Sequence, residues 1–117
     1  MAVNATRTVT IAFTNDINGT QTLNAQANGS SPGSITIHTL TSGANTITVP
    51  TGGSTVKGAT IIPPAGNVNS ITLKGVSGDT GVELSKLDPT SIGFETAPAN
   101  FVLTVGSTIT GLRIVWS

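Results

Sequence analysis

Asp79-Thr80-Gly81 is the triplet in this chain whose residue types match a catalytic signature. In a dimeric aspartic protease each chain supplies one such triplet, and the two carboxylates share a proton. That chemistry wants apolar residues just before the Asp and a small residue after the Gly. Here Ser77-Gly78 precede and Val82-Glu83 follow. The triplet also falls where a turn is expected, and an Asp side chain readily caps its own turn. We read it as a turn. Asp79, Glu83 and Asp88 offer the oxygen ligands that Ca2+ prefers. Their spacing fits no cation loop with acids at alternate positions and a glycine, so solvated charge and turn capping are expected instead. His38 is the single histidine and there is no cysteine. With no Gly-x-Ser-x-Gly elbow either, a nucleophile, base and orienting acid cannot be assembled from recognisable parts. The expectation is a chain that is not an enzyme, with no catalytic residue, no metal and no cofactor.

Three residues remain as interface candidates. Trp116 is the single tryptophan, one residue from the end. It is either a core aromatic anchoring the last strand or an anchor at a subunit contact, where Trp is favoured. Arg113 lies on the opposite face of the same strand and is placed to pair with an acidic neighbour. His38 falls between Ile37 and Thr39 and alternates to the polar side of its strand. It titrates near neutral pH, which would make assembly pH-sensitive.

The elements that position these residues read as strands. Thr is the commonest residue, with 21 copies, and there are 14 Gly. Thr, Val and Ile favour strands, while Gly and Asn supply turns. No run of helix formers recurs at helical spacing. Alternation marks strands over 6–14, 20–27, 34–41, 45–49, 55–62, 69–74, 91–95, 100–105 and 109–116, with turns between. Val9, Ile11 and Phe13 share a face of the first, and Leu23, Ala25 and Ala27 the inner face of the second. Ile35 and Ile37 are expected inward on the third, and Ile47 and Val49 on the fourth. Leu112, Ile114 and Trp116 share a face of the last. Gly58 marks a bulge or a close backbone approach; Gly75, Gly78 and Gly81 recur at a spacing of three, and Ser77-Gly78-Asp79-Thr80-Gly81 reads as tight turns that need positive φ. The spacing of strands predicts a single all-β domain, an antiparallel β-sandwich or jelly roll of about eight short strands over residues 6–117. Residues 1–5 form a short polar arm that is flexible or orders on a neighbouring subunit.

Only 9% of residues are charged, against roughly 25% in ordinary domains. Net charge is zero. Nucleic acid or an anionic membrane as the main partner would need concentrated Lys and Arg. Here Arg7, Lys57, Lys74, Lys86 and Arg113 are scattered, so neither partner is expected. No segment is long and apolar enough to span a membrane as a helix. No secretion signal is recognisable, so synthesis in a cytoplasm is expected. The strands carry Thr, Ser, Asn and Ala at outward positions, where isolated β proteins usually guard their edges with charge. Either the sheet closes on itself or neighbouring subunits cover its edges.

Across residues 61–116 the chain resembles small β-rich structural proteins of tailed bacteriophages, including head decoration or cement proteins. The resemblance is carried by Ile62-Pro63-Pro64-Ala65-Gly66-Asn67 and Ile71-Thr72-Leu73-Lys74-Gly75-Val76-Ser77-Gly78-Asp79-Thr80-Gly81-Val82-Glu83-Leu84. It continues in Asp88-Pro89-Thr90, Phe101-Val102-Leu103-Thr104 and Gly111-Leu112-Arg113-Ile114-Val115-Trp116. It implies a virion component bound to the major capsid protein, self-associated as a homo-oligomer with a trimer favoured. A tail or neck component is the alternative within that class. A host-surface or carbohydrate-binding module is the alternative outside it.

Overall fold

The computed structural model describes residues 8–12, 20–24, 34–50 and 56–117. The chain forms β1 (Thr8–Ala12), β2 (Thr20–Asn24), β3 (Ser34–Leu40), β4 (Gly43–Thr48) and β5 (Gly58–Ile62). These are followed by β6 (Ile71–Lys74), β7 (Val82–Glu83), β8 (Thr90–Gly93), β9 (Asn100–Val105) and β10 (Ile109–Trp116). There is no helix among the described residues. β1 and β2 pair antiparallel as a two-stranded sheet, with Val9 opposite Leu23. The expected 1–5 arm lies outside the described residues, as do the faces expected for Val9, Ile11, Phe13, Leu23, Ala25 and Ala27.

The other eight strands make a sandwich of two antiparallel sheets, in the orders β3-β10-β5-β8 and β4-β9-β6-β7. From β3 onward every connection switches sheets except the β6–β7 hairpin. Both inner faces are therefore built from interleaved parts of the chain. Ile61, Ile71, Leu103, Leu112, Ile114 and Trp116 are all essentially sealed from solvent. Burying a side chain of this kind contributes about 1.5–3 kcal/mol.

β10 sets the phase of the sheet it centres. Ile109 and Leu112, three apart, are both buried, which strict alternation forbids. A register shift between Thr110 and Leu112 supplies the extra residue. Gly111 sits within it at φ 83°, a left-handed conformation that glycine adopts without steric cost. A bulge thus lies at Gly111. β5 itself runs in unbroken register with β10 and β8, and at its start the N–H groups of Lys57 and Gly58 both donate to the Ser117 carbonyl, at 2.7 and 3.0 Å, the two-against-one pattern expected at Gly58.

β3 corrects the expected orientation of its side chains. Leu40 lies opposite Ile109, His38 opposite Leu112 and Thr36 opposite Ile114. Residues directly opposed in a ladder share a face, so Thr36, His38 and Leu40 follow the buried residues of β10. Ile35 and Ile37 point out instead, 61% and 72% exposed. A one-residue change of phase exchanges the two faces of a strand. The polar residues are tolerated inside because Trp116 needs an acceptor there: its indole N–H donates to Thr36 Oγ1 at 2.9 Å.

The turns after β6 also differ from expectation in part. Gly81 has φ 76°, whereas Gly78 is not in the positive-φ region. A Cβ on Gly81 would lie 2.5 Å from the Leu73 carbonyl oxygen. Gly81 is therefore needed both for its backbone conformation and for the close approach of β7 to β6.

Candidate interaction surfaces

Trp116 and His38 meet inside the β3 end of the sandwich. The Trp116 ring is fully buried and packs at a tilt on Phe101, with centroids 6.0 Å apart. Thr36 Oγ1, which accepts from Trp116, lies 2.7 Å from His38 Nε2. An indole nitrogen only donates, so the Thr36 hydroxyl has its own proton free to give to Nε2. That relay suits a neutral imidazole. Burial pushes the His38 pKa below its ordinary 6.5 in the same direction. His38 is half-buried on the inner face, a correction to its expected place on the polar side. Its outward-facing neighbours Ile35 and Ile37 take the exposed positions. Of the two roles open to Trp116, its burial supports the core anchor.

Arg113 is exposed on the outer face, where it lies between Ile37 of β3 and Ile62 of β5 in the ladder. In the next row Val115 lies between Ile35 and Thr60. The outer face at this edge is thus an apolar strip with one cation. Arg113 has no ion pair among the described residues. The three interface candidates are not one cluster: Trp116 and His38 lie inside the sheet and Arg113 outside it.

Asp79 holds its own loop. Oδ2 accepts from the backbone N–H groups of Gly75 at 3.1 Å and Val76 at 3.0 Å, as the turn reading expects. No group of three His, Cys, Asp or Glu side chains among the described residues is arranged to hold a metal ion. Nearby, buried Asn67 ties two loops, donating through Nδ2 to the carbonyls of Asn69 and Lys86, both at 2.9 Å.

At the edge farthest from β3 the sandwich does not close. β7 has two residues and β8 has four, too few to cover the inner face of β6 and β9. The result is a cleft of about 540 Å3, lined by Leu73, Val82, Ile92, Phe94 and Phe101, with Lys74 and Asp79 also on its wall. Its size lies within the roughly 300–1,000 Å3 of ordinary binding sites. Sequence reading missed this cleft, because its residues come from four separated segments. It also misplaced the Ile35 and Ile37 strip. The available signal was Leu40, an apolar residue at the end of the run and one step out of phase with the isoleucines.

Comparison with protein-family models, curated proteins and solved structures finds no match.

Proposed function

We propose that the chain is a structural protein of a tailed-phage particle, a decoration or cement protein bound to the outer shell. It would act without chemistry, by stiffening contacts between capsomers of the major capsid protein. The observation that carries this reading is the β3 edge. It is seven residues long, holds neither Lys nor Pro, and shows two isoleucines to solvent. A strand of this kind is a liability in an isolated protein and an asset in a subunit that is always covered. The resemblance over residues 61–116 supplies the setting. Affinity would come from a few apolar anchors multiplied over many equivalent sites.

The cleft is the one observation that favours a binding module instead. Sugar recognition by stacking needs exposed rings, and among the described residues Phe101 and Trp116 are buried and Phe94 is half-buried. The particle reading is therefore preferred. Imaging purified native particles at subunit resolution tests it. Copies on the capsid exterior at capsomer junctions are expected. Copies along the tail or at the neck would move the chain there, and absence from the particle would overturn the proposal.

A further inference from the structure

β3 with β4 ends the two sheets on one side, and β8 with β7 ends them on the other. The outward isoleucines and the cleft therefore lie at opposite edges of the sandwich. We infer that they are two halves of one contact: Ile35 and Ile37 of one copy seat in the cleft between β6–β7 and β8 of a second copy of this chain. The inference rests on the reading of the chain as an assembling subunit and names the surfaces that assemble.

Shape and polarity fit. The cleft is lined by Leu73, Val82, Ile92, Phe94 and Phe101 and is large enough for branched aliphatic side chains. The two isoleucines are 61% and 72% exposed, and Val82 on the cleft wall is 64% exposed. All three would lose that exposure together.

An open cation on the strip and an open carboxylate oxygen on the cleft wall point to a second copy as the occupant. Arg113 is the ionic group beside Ile37 on the outer face, and it has no ion pair among the described residues. The cleft wall carries one acid, Asp79, and one base, Lys74. Asp79 Oδ2 is taken by the Gly75 and Val76 N–H groups, and Oδ1 has no partner among the described residues. A strip with one unpaired cation thus faces an apolar cleft whose wall offers an open carboxylate oxygen at Asp79. Such complementarity between different surfaces of one chain gives a head-to-tail contact, which closes as a ring when the rotation permits.

Sedimentation of the full chain over a range of concentrations tests this. Wild type is expected to form an oligomer. Ile37→Asp spoils the strip and Val82→Asp spoils the cleft. Both positions are exposed, so both variants are expected to keep the wild-type circular dichroism. Each alone is expected to weaken association by about a hundredfold or more, as a charge buried without a partner does. Mixed together they are expected to form a complex of two, because one retains a cleft and the other a strip. Arg113→Glu, a milder change, is expected to weaken association about tenfold. A monomer at every concentration overturns the inference. So does loss of association with Ile37→Asp but not Val82→Asp, which would mean that β3 pairs with itself or is covered by the β1–β2 hairpin. A mixture of the two variants that stays monomeric also overturns it. None of these results removes the chain from a particle on which imaging finds it, so the two proposals fail separately.

Discussion

The two edges of the sandwich meet the same problem in different ways. At the β7/β8 edge the terminal strands have two and four residues, and the loop beside them carries charge. Short strands and charge are both devices that discourage another chain from pairing there. At the β3/β4 edge the strands have seven and six residues, and β3 has no acidic residue, Lys or Arg, only a histidine whose pKa burial lowers. The first edge is guarded along its backbone and opens a cleft between its sheets. The second has a continuous core beneath it and, among the described residues, leaves the outer backbone of β3 without a ladder partner and its isoleucines exposed. Each edge lacks what the other offers, which is why the contact is assigned between them and not within either.

Substitutions can separate the sealed side of β3 from its open side. Trp116→Ala should have the largest effect, about 3–5 kcal/mol of lost stability, read from urea or thermal denaturation. It removes the ring against Phe101 and leaves Thr36 without its donor. A loss below about 1 kcal/mol would mean that the β3 end is not sealed as described. At the other edge, Gly81→Ala should cost about 1–3 kcal/mol, because it combines positive φ with a clash against the Leu73 carbonyl. Equal stability of wild type and variant would show that β7 is not pinned to β6.

The His38 effect is smaller, and its sign is fixed. Its folded pKa lies below the unfolded value near 6.5. The unfolded chain therefore binds the proton more readily, and folding stability rises with pH through that window. The contribution of neutral His38 is fully present above the unfolded pKa and is lost as pH falls through the folded one. Denaturation midpoints should drop as pH goes from about 7.5 to about 5, and His38→Gln should flatten that dependence. An unchanged slope in the variant would place His38 outside the Thr36 relay. Smallest of all, Ile37→Asp should change folding stability by no more than about 0.5 kcal/mol, although it is expected to weaken association about a hundredfold. A large loss of stability would mean that Ile37 is covered within its own chain.

Much of this fold is legible in the sequence, and the exceptions have physical causes. Strand positions and the sandwich class follow from alternation and turn residues. The inward faces of β4 and β10 follow too, because Ile47, Val49, Leu112, Ile114 and Trp116 leave little choice of phase. β3 is different. Ile35 and Ile37 argue for one phase and Leu40 for the other, and a strand read alone cannot decide between them. The decision belongs to β10, through the Gly111 bulge and the Trp116 hydrogen bond, both of which depend on pairing distant in sequence. The cleft is less legible still. It is a consequence of two strands stopping early, and no local pattern records the space that leaves.

The chain contains no cysteine, so a pair placed by mutation reports without background. The measurement to make is disulfide trapping with Ile37→Cys and Val82→Cys as separate single variants, oxidised alone and mixed. Bridging requires Cα atoms within about 7 Å, and the strip-in-cleft contact predicts that positions 37 and 82 of different copies come within that reach. Little dimer from either variant alone, and abundant 37–82 dimer from the mixture, is the expected result. Abundant 37–37 dimer from Ile37→Cys alone, with no gain on mixing, would show that β3 pairs with itself and would contradict the head-to-tail contact.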